Sequence, residues 1–333
     1  MNAEPNPRVR AFWITGPAQG EIQPTNPDLD APDSEPTVEV ASLYTGISRG
    51  TESLVFNGRI PHSEHERMRA PFQAGDFPWP VRHGYSNVGR VVQGPAELRG
   101  CTVFSLFPHQ TRFRVPASAI VPVPESVPAE RAVLAANMET AINGVWDAQA
   151  AVGDRIAVIG CGVVGALMAW LCQRLPGTRV TAVDTEPSRR CILEELGVRY
   201  DPDLRSDDHD LVIHASGNPA GLDHAIALAG TEGRIIEMSW YGDQPVNVPL
   251  GGAFHSRRLT LRASQVGRVS PARRPAWSHR DRLELALSLL AHPELDVFID
   301  GESDFEALPE TMTALCRDNS TALCHRVRYP ENH

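Results

Sequence analysis

Lysine is absent from all 333 residues, so the 31 permanent side-chain cations are all arginine. That excludes Schiff-base chemistry, a pyridoxal-phosphate lysine and any lysine acting as proton donor. No apolar run approaches the ~18 residues of a membrane span. The opening Met-Asn-Ala-Glu-Pro-Asn-Pro also lacks the apolar stretch of a secretory signal. A soluble, cytoplasmic protein with no membrane partner is expected. C-x-x-C pairs are lacking too. Cys101, Cys161, Cys172, Cys191, Cys316 and Cys324 are scattered along the chain and read as reduced thiols, neither a disulfide framework nor a zinc knuckle. Positive charge is in deficit: 41 acidic residues give a formal net charge of −10 and a pI near 5.6, which argues against a nucleic-acid partner. The length suffices for two domains and a full core.

The chain is organised around residues 155–184. Arg155-Ile156-Ala157-Val158-Ile159 reads as a short buried strand. Gly160-Cys161-Gly162-Val163-Val164-Gly165 follows, then an apolar helix pattern through Ala166, Leu167, Ala169, Trp170 and Leu171. A second strand, 179–183, ends on Asp184, which lies 19 residues after Gly165. This is the order of a dinucleotide-binding βαβ unit. Gly160 permits the tight turn, Gly162 lets the backbone approach a pyrophosphate, and Gly165 lets the helix sit close to the strand. Val163 and Val164 open a helix whose N–H groups and dipole face the phosphates. A glycine-rich turn in an ordinary α/β protein is the alternative. Asp184 would bond the adenosine ribose hydroxyls and repel a 2′-phosphate, favouring NAD over NADP. Arg189 and Arg190, just beyond, either touch that ribose or are solvated helix charges, and they keep NADP open.

Before this unit the pattern is β-rich. Strands are predicted at 9–14, 37–44, 85–93, 103–106 and 111–115, with loops over 15–36 and an exposed loop over 57–80. Residues 45–52 turn sharply into a short helix, and 128–150 reads as one helix with Leu134, Met138, Ile142 and Trp146 on a stripe. From 155 onward strands (156–159, 179–183, 211–214, 233–238, 259–262) alternate with helices (162–175, 186–195, 220–229), the pattern of a parallel sheet covered on both faces. Helices at 281–291 and 305–315 and a strand at 322–329 close the chain.

An N-terminal β domain, a helical bridge, a nucleotide unit and a C-terminal return resemble the medium-chain dehydrogenase/reductase superfamily. The resemblance rests on Gly46-Ile47-Ser48-Arg49-Gly50-Thr51-Glu52, Gly84-Tyr85-Ser86-Asn87-Val88-Gly89, the 160–165 turn and the helix around Glu139-Thr140. Within it, the chain is most similar to a branch that includes bacteriochlorophyllide 3-hydroxyethyl dehydrogenase, whose chlorin substrate is not carried over. The resemblance implies an α/β fold, with a Rossmann doubly wound parallel sheet (151–296) and a GroES-like β-barrel catalytic domain (1–150 and 297–333). It also implies a homodimer acting on a small-molecule substrate. Zinc members place Cys, His-Glu and Cys or Glu at positions that here match Ser48, Tyr85-Ser86 and Ala136. A catalytic zinc needs about three N, O or S ligands, so no metal site is expected. His62, His65, His83, His109 and His255 are scattered and read singly as packed or surface residues.

Hydride transfer without zinc still needs a group to exchange the hydroxyl proton and to stabilise charge on oxygen. Tyr85 is the leading candidate, its phenol pKa lowered by neighbouring cations; otherwise it fills the space of a metal. Ser48 either orients the substrate oxygen or caps the helix beginning near Gly50. Arg49 reaches the cofactor phosphates or faces solvent. Glu139, beside Asn137 and Thr140, is a second proton-relay member or the packing partner of an arginine. His109 and Trp240 are candidates for lining the substrate cleft. Ser216 and Ser239 follow predicted strands, so their loops should border the cofactor, and residues 264–267 should approach the nicotinamide. Arg257, Arg258, Arg262, Arg268, Arg273 and Arg274 are either an anion site or solvated surface. The expectation is an NAD-dependent oxidoreductase interconverting a secondary alcohol and a ketone without zinc. A zinc-independent quinone or enone reductase and a non-catalytic nucleotide-binding sensor are the alternatives.

Overall fold

The strand Thr37–Ser48 is the hub of the first part of the molecule. In the computed structural model, which describes residues 6–27 and 35–330, it pairs antiparallel with Asn87–Gln93, Arg112–Pro116 and Cys324–Arg328. Its inward residues explain why. Val38 and Val40 are fully buried and pack with Val91, Val103, Phe107, Phe113 and Val115, each such side chain worth about 1.5–3 kcal/mol on leaving water. Phe107 and Phe113 stack with centroids 3.9 Å apart. These strands, with Thr102–Ser105, Val121–Pro122 and Ile299–Asp304, make a seven-stranded sheet.

A four-stranded sheet in the order Gln19–Thr25, Asn6–Gly16, Val81–Arg82, Ala74–Gly75 completes this unit. The strand at Gln19–Thr25 corrects the loop expected over 15–36; of that stretch, 28–34 lies outside the described residues. Gly20 is the reason the pairing is tight: a Cβ there would sit 2.3 Å from Phe12 Cζ. The stretch 57–80 is likewise not a simple exposed loop, since Ile60 and Phe77 are buried and His62–Glu64 forms a 3₁₀ turn.

The chain divides into two units. One comprises the residues up to Ala136, Leu287–Ala291 and those from Ile299 on; the other is Asn137–Ala286 with His292–Phe298. The second unit is built on a six-stranded, fully parallel sheet. Its order is Arg199–Tyr200, Arg179–Val183, Arg155–Ile159, His209–His214, Ala229–Glu237, Thr260–Ala263. The strand order reverses between Arg155–Ile159 and His209–His214, and at such a switch point the crevice beyond the carboxyl ends of the strands is the natural ligand site. Helices Val163–Gln173, Arg189–Glu195 and Pro219–Leu228 alternate with the strands. Val163–Gln173 buries Trp170 completely. The helix expected over 128–150 is shorter, a 3₁₀ turn at Ala132–Leu134 leading into Ala135–Ala148. Pro128 instead starts a turn, its carbonyl accepting from the Arg131 N–H at 3.0 Å. Among the described residues no helix is long and apolar enough to cross a membrane.

Candidate functional site

The phosphate-binding turn has the geometry its glycines imply. Gly160 stands at φ +89°, and a Cβ on it would lie 2.4 Å from the Ser216 backbone; one on Gly165 would lie 1.9 Å from the Gly160 carbonyl oxygen. No other residue fits at either position. Around Gly162 a Cβ would meet nothing within 4 Å, so this glycine leaves an open cradle at the start of Val163–Gln173. The first N–H groups of that helix have no carbonyl one turn back to bond, and Val163 and Val164 are only half-buried. An anionic group is what such a turn accommodates.

Asp184 is held beside it. Its carboxylate accepts from the Cys161 N–H at 2.6 Å and the Glu186 N–H at 2.8 Å, while its own carbonyl accepts from the Tyr200 hydroxyl at 3.0 Å. Arg189 is buried, which excludes the solvated reading for it. Arg190 is exposed and lies over the Tyr200 ring at 5.0 Å.

On the far side of the turn is a polar chain. His214, fully buried, meets the Glu237 carboxylate through Nδ1 at 2.8 Å and the Ser216 hydroxyl through Nε2 at 2.7 Å. Glu237 also accepts from the Ser239 N–H at 2.7 Å and the Tyr241 hydroxyl at 3.1 Å. These hydrogen bonds hold its pKa below the usual range although burial pushes it the other way. The same carboxylate, together with burial, pushes the Tyr241 phenol well up. Ser239 Oγ accepts from the Gly217 N–H at 3.0 Å, tying the two loops together. Trp240, next in line, is half-buried.

Glu139 belongs to this second unit and is engaged elsewhere. It is buried and accepts from Arg282 Nε at 3.1 Å, while Arg282 reaches Asn143 and the Val266 carbonyl. Of the two roles anticipated, the structure shows the arginine partner. Burial leaves its pKa raised, with Arg282 only partly offsetting the effect. Half of the arginine run is already paired: Arg257 with Asp207, Arg258 with Glu232 and Arg262 with Asp147.

In the first unit, Ser48, Tyr85 and His109 come together with a residue that sequence reasoning passed over, Glu52. Ser48 stands at the N-cap of the helix Arg49–Phe56 but its side chain makes no capping bond. Instead its N–H donates to Glu52 Oε1 at 2.7 Å. The other Glu52 oxygen meets His109 Nε2 at 2.9 Å; His109 Nδ1 lies 2.7 Å from Thr45 Oγ1, and Thr45 Oγ1 lies 3.2 Å from the Tyr329 hydroxyl. All four are buried. His109, expected to line the substrate cleft, is instead sealed in a relay. Gly84, at φ +132°, leaves the space: a Cβ there would lie 3.0 Å from the imidazole.

Tyr85, half-buried, packs edge-on against His83 at 5.7 Å. Its pKa is pushed up to about 12, by burial first and then by the Glu52 carboxylate, with hydrogen bonds to Ser48 and Thr51 pulling weakly down. This overturns the lowered value expected from nearby cations: the charge that faces Tyr85 is negative. His83 is buried, its Nδ1 has no partner, and burial drops its pKa to about 4. Among the described residues no three His, Cys, Asp or Glu side chains converge as a metal would require. His62 and His65 stack edge-on on each other at 4.9 Å.

No family model matches the chain. Over 161 residues it is 25% identical to the L-threonine 3-dehydrogenase of Bacillus subtilis, covering 44% of this chain and 46% of that protein. The chain thus spans less than half the length of the threonine dehydrogenases it matches. It is 26% identical over 267 residues to the 2-desacetyl-2-hydroxyethyl bacteriochlorophyllide A dehydrogenase of Cereibacter sphaeroides, covering 74% of this chain and 78% of that one. A short chain alcohol dehydrogenase of Escherichia coli, solved with NADH, superposes with a TM-score of 0.76 over 97% of this chain and all of its own, at 17% identity. The chain is thus similar to dehydrogenases of the medium-chain dehydrogenase/reductase superfamily. Ser48, Tyr85 and Ala136, the positions that the resemblance sets against the zinc ligands of other members, supply no thiolate, imidazole or carboxylate.

Proposed function

We propose that this protein is an NAD-dependent oxidoreductase that interconverts a secondary alcohol and a ketone without catalytic zinc. The observation that carries the reading is the phosphate-binding turn, whose open cradle at Gly162 and bare helix N-terminus at Val163, Val164 and Gly165 suit a pyrophosphate. Asp184 would take the adenosine ribose, which disfavours a 2′-phosphate. Arg189 keeps NADP as the lesser option, and Arg49 is proposed at the cofactor phosphates. When bound, the nicotinamide supplies the hydride acceptor or donor.

Tyr85 is proposed as the group that meets the substrate oxygen. With its pKa near 12 the phenol stays protonated at neutral pH and donates a hydrogen bond to a carbonyl oxygen, stabilising the charge that develops there. Ser48 is placed to support that donor, and the Glu52–His109–Thr45–Tyr329 chain offers a buried route for a proton. Trp240 remains the substrate-side candidate in the second unit. A donor-only phenol also suits reduction of an enone or quinone, which is the second reading. A small-molecule substrate, a homodimer and a cytoplasmic setting complete the proposal.

The test is metal content, NADH and NADPH titration, and turnover of an alcohol and ketone panel on protein purified without added zinc. Tyr85→Phe is expected to lower kcat about 100-fold or more with NADH affinity unchanged. Stoichiometric zinc with chelator-sensitive turnover would sink the zinc-free claim, and tight NADH binding with no turnover would point to a sensor.

A further inference from the structure

Ser216 sits beside the phosphate-binding turn, its backbone against Gly160, and it is an exposed residue. Its hydrogen-bonding sense is decided behind it. The Glu237 carboxylate, ionised and accepting from the Ser239 N–H and the Tyr241 hydroxyl, can only accept. His214 Nδ1, 2.8 Å away, must therefore carry a proton, and with that single proton on the ring Nε2 is an acceptor. The Ser216 hydroxyl, 2.7 Å from Nε2, then spends its one hydrogen on the histidine. Its oxygen also accepts from the Asn218 N–H at 3.2 Å, the Asn218 carbonyl being a more distant alternative for its hydrogen at 3.5 Å, and one lone pair is left unused. The helix Pro219–Leu228 roofs this arrangement at Gly221, where a Cβ would lie 2.4 Å from Ser216 Oγ and 2.6 Å from His214 Nε2. Glycine there keeps the pair accessible to each other and leaves no room for a competing side chain.

We propose that the Glu237–His214 pair fixes Ser216 as an acceptor-only group, so that Ser216 reads a hydrogen-bond donor of the bound dinucleotide and not one of its phosphate oxygens. The donor is a ribose hydroxyl or the carboxamide N–H of the nicotinamide; a phosphate oxygen would meet a lone pair and be repelled. His214 and Glu237 are positioning residues in this scheme, acting through Ser216. The inference rests on the nicotinamide-dinucleotide reading above, and its first arm is independent of it.

That first arm is ¹⁵N-detected NMR of the ligand-free protein. His214 Nε2 is expected at the shift of an unprotonated nitrogen and Nδ1 at that of a protonated one; the reverse tautomer would overturn the proposal. The second arm is titration with NADH followed by nicotinamide fluorescence. Ser216→Ala is expected to weaken binding about fivefold to tenfold. Glu237→Gln, which offers His214 an amide in place of a pure acceptor, should weaken it comparably, with no further loss in the double variant. Full additivity, or unchanged binding in Ser216→Ala, would refute the claim. Repeating the titration with the reduced 3-acetylpyridine analogue, which lacks the carboxamide N–H, separates the two donors. The Ser216→Ala penalty vanishes if the amide is read and persists if a ribose hydroxyl is. Should the unaltered protein fail to bind NADH at all, the cofactor reading falls, and the tautomer measurement still decides the rest.

Discussion

Each unit of the molecule contains a buried histidine paired with a glutamate, and the two pairs are finished differently. In the first, His109 spends both ring nitrogens inside the protein, on Glu52 and on Thr45, and the chain ends at the buried Tyr329. In the second, His214 is equally sealed, but its outer nitrogen meets Ser216, which is exposed. Glu52 is 2% exposed and Glu237 12% in their side chains, and Glu237 has two further donors to fall back on. The same two side-chain types thus make a closed relay in one place and an outward-facing device in the other. What separates them is the last hydroxyl in the line.

The comparison is most exposed to paired substitutions. His109→Phe leaves the buried Glu52 carboxylate without its imidazole partner, holding only the Ser48 N–H, and is expected to cost about 3–5 kcal/mol of stability in urea unfolding. His214→Phe leaves Glu237 its other donors and should cost about 1–3 kcal/mol. Equal losses would show that the two pairs are energetically alike and that the distinction drawn here is wrong.

Acid should then separate the units further. His83, beside the closed relay, titrates near pH 4 against about 6.5 in an unfolded chain. Below 6.5 the unfolded state binds the extra proton first, so stability falls as pH drops from about 6.5 to 4. The full loss is roughly 3 kcal/mol. Urea midpoints across that range should flatten in a His83→Phe variant; an unchanged slope would remove His83 as the cause. The smallest effect expected is at Asp184. Asp184→Asn should shift the NADPH to NADH affinity ratio by about tenfold toward NADPH, read by fluorescence titration, since it removes one negative charge facing a 2′-phosphate. No shift would mean that Asp184 serves the Cys161 and Glu186 backbone alone.

The open site was legible in the sequence and the closed one was not. Gly160, Gly162, Gly165 and Asp184 announce themselves because they fall within 30 residues of one another, and Gly160 and Gly165 have no room for a Cβ. Glu52 follows Ser48 by four residues and could have been noticed as a carboxylate on the opening turn of a helix. Its pairing with His109, 57 residues on, and the further link of Thr45 to Tyr329, 284 residues on, leave no trace in spacing. Tyr85 was expected to face cations and instead faces the Glu52 carboxylate, because no local pattern says which charge will meet a phenol. Among the elements, Gln19–Thr25 was hidden by Gly20 and Pro24. Ile299–Asp304 was hidden by its acids: Ile-Asp-Gly-Glu-Ser-Asp lacks an apolar face, and it pairs with Cys324–Arg328 where Arg326 meets Glu302 and Arg328 meets Asp304.

The place of that last strand bears on how the molecule is made. Cys324–Arg328 lies against Thr37–Ser48 with Cys324 opposite Ser48, so one strand leaves the ribosome long before the neighbour it pairs with. The parallel sheet, by contrast, is complete once residue 263 has emerged. Synthesis therefore imposes a sequence of events: the unit with the parallel sheet can settle while the other unit is still waiting for Cys324–Arg328. A chain stalled shortly before residue 324 should hold a formed 160–165 turn and an unfinished seven-stranded sheet.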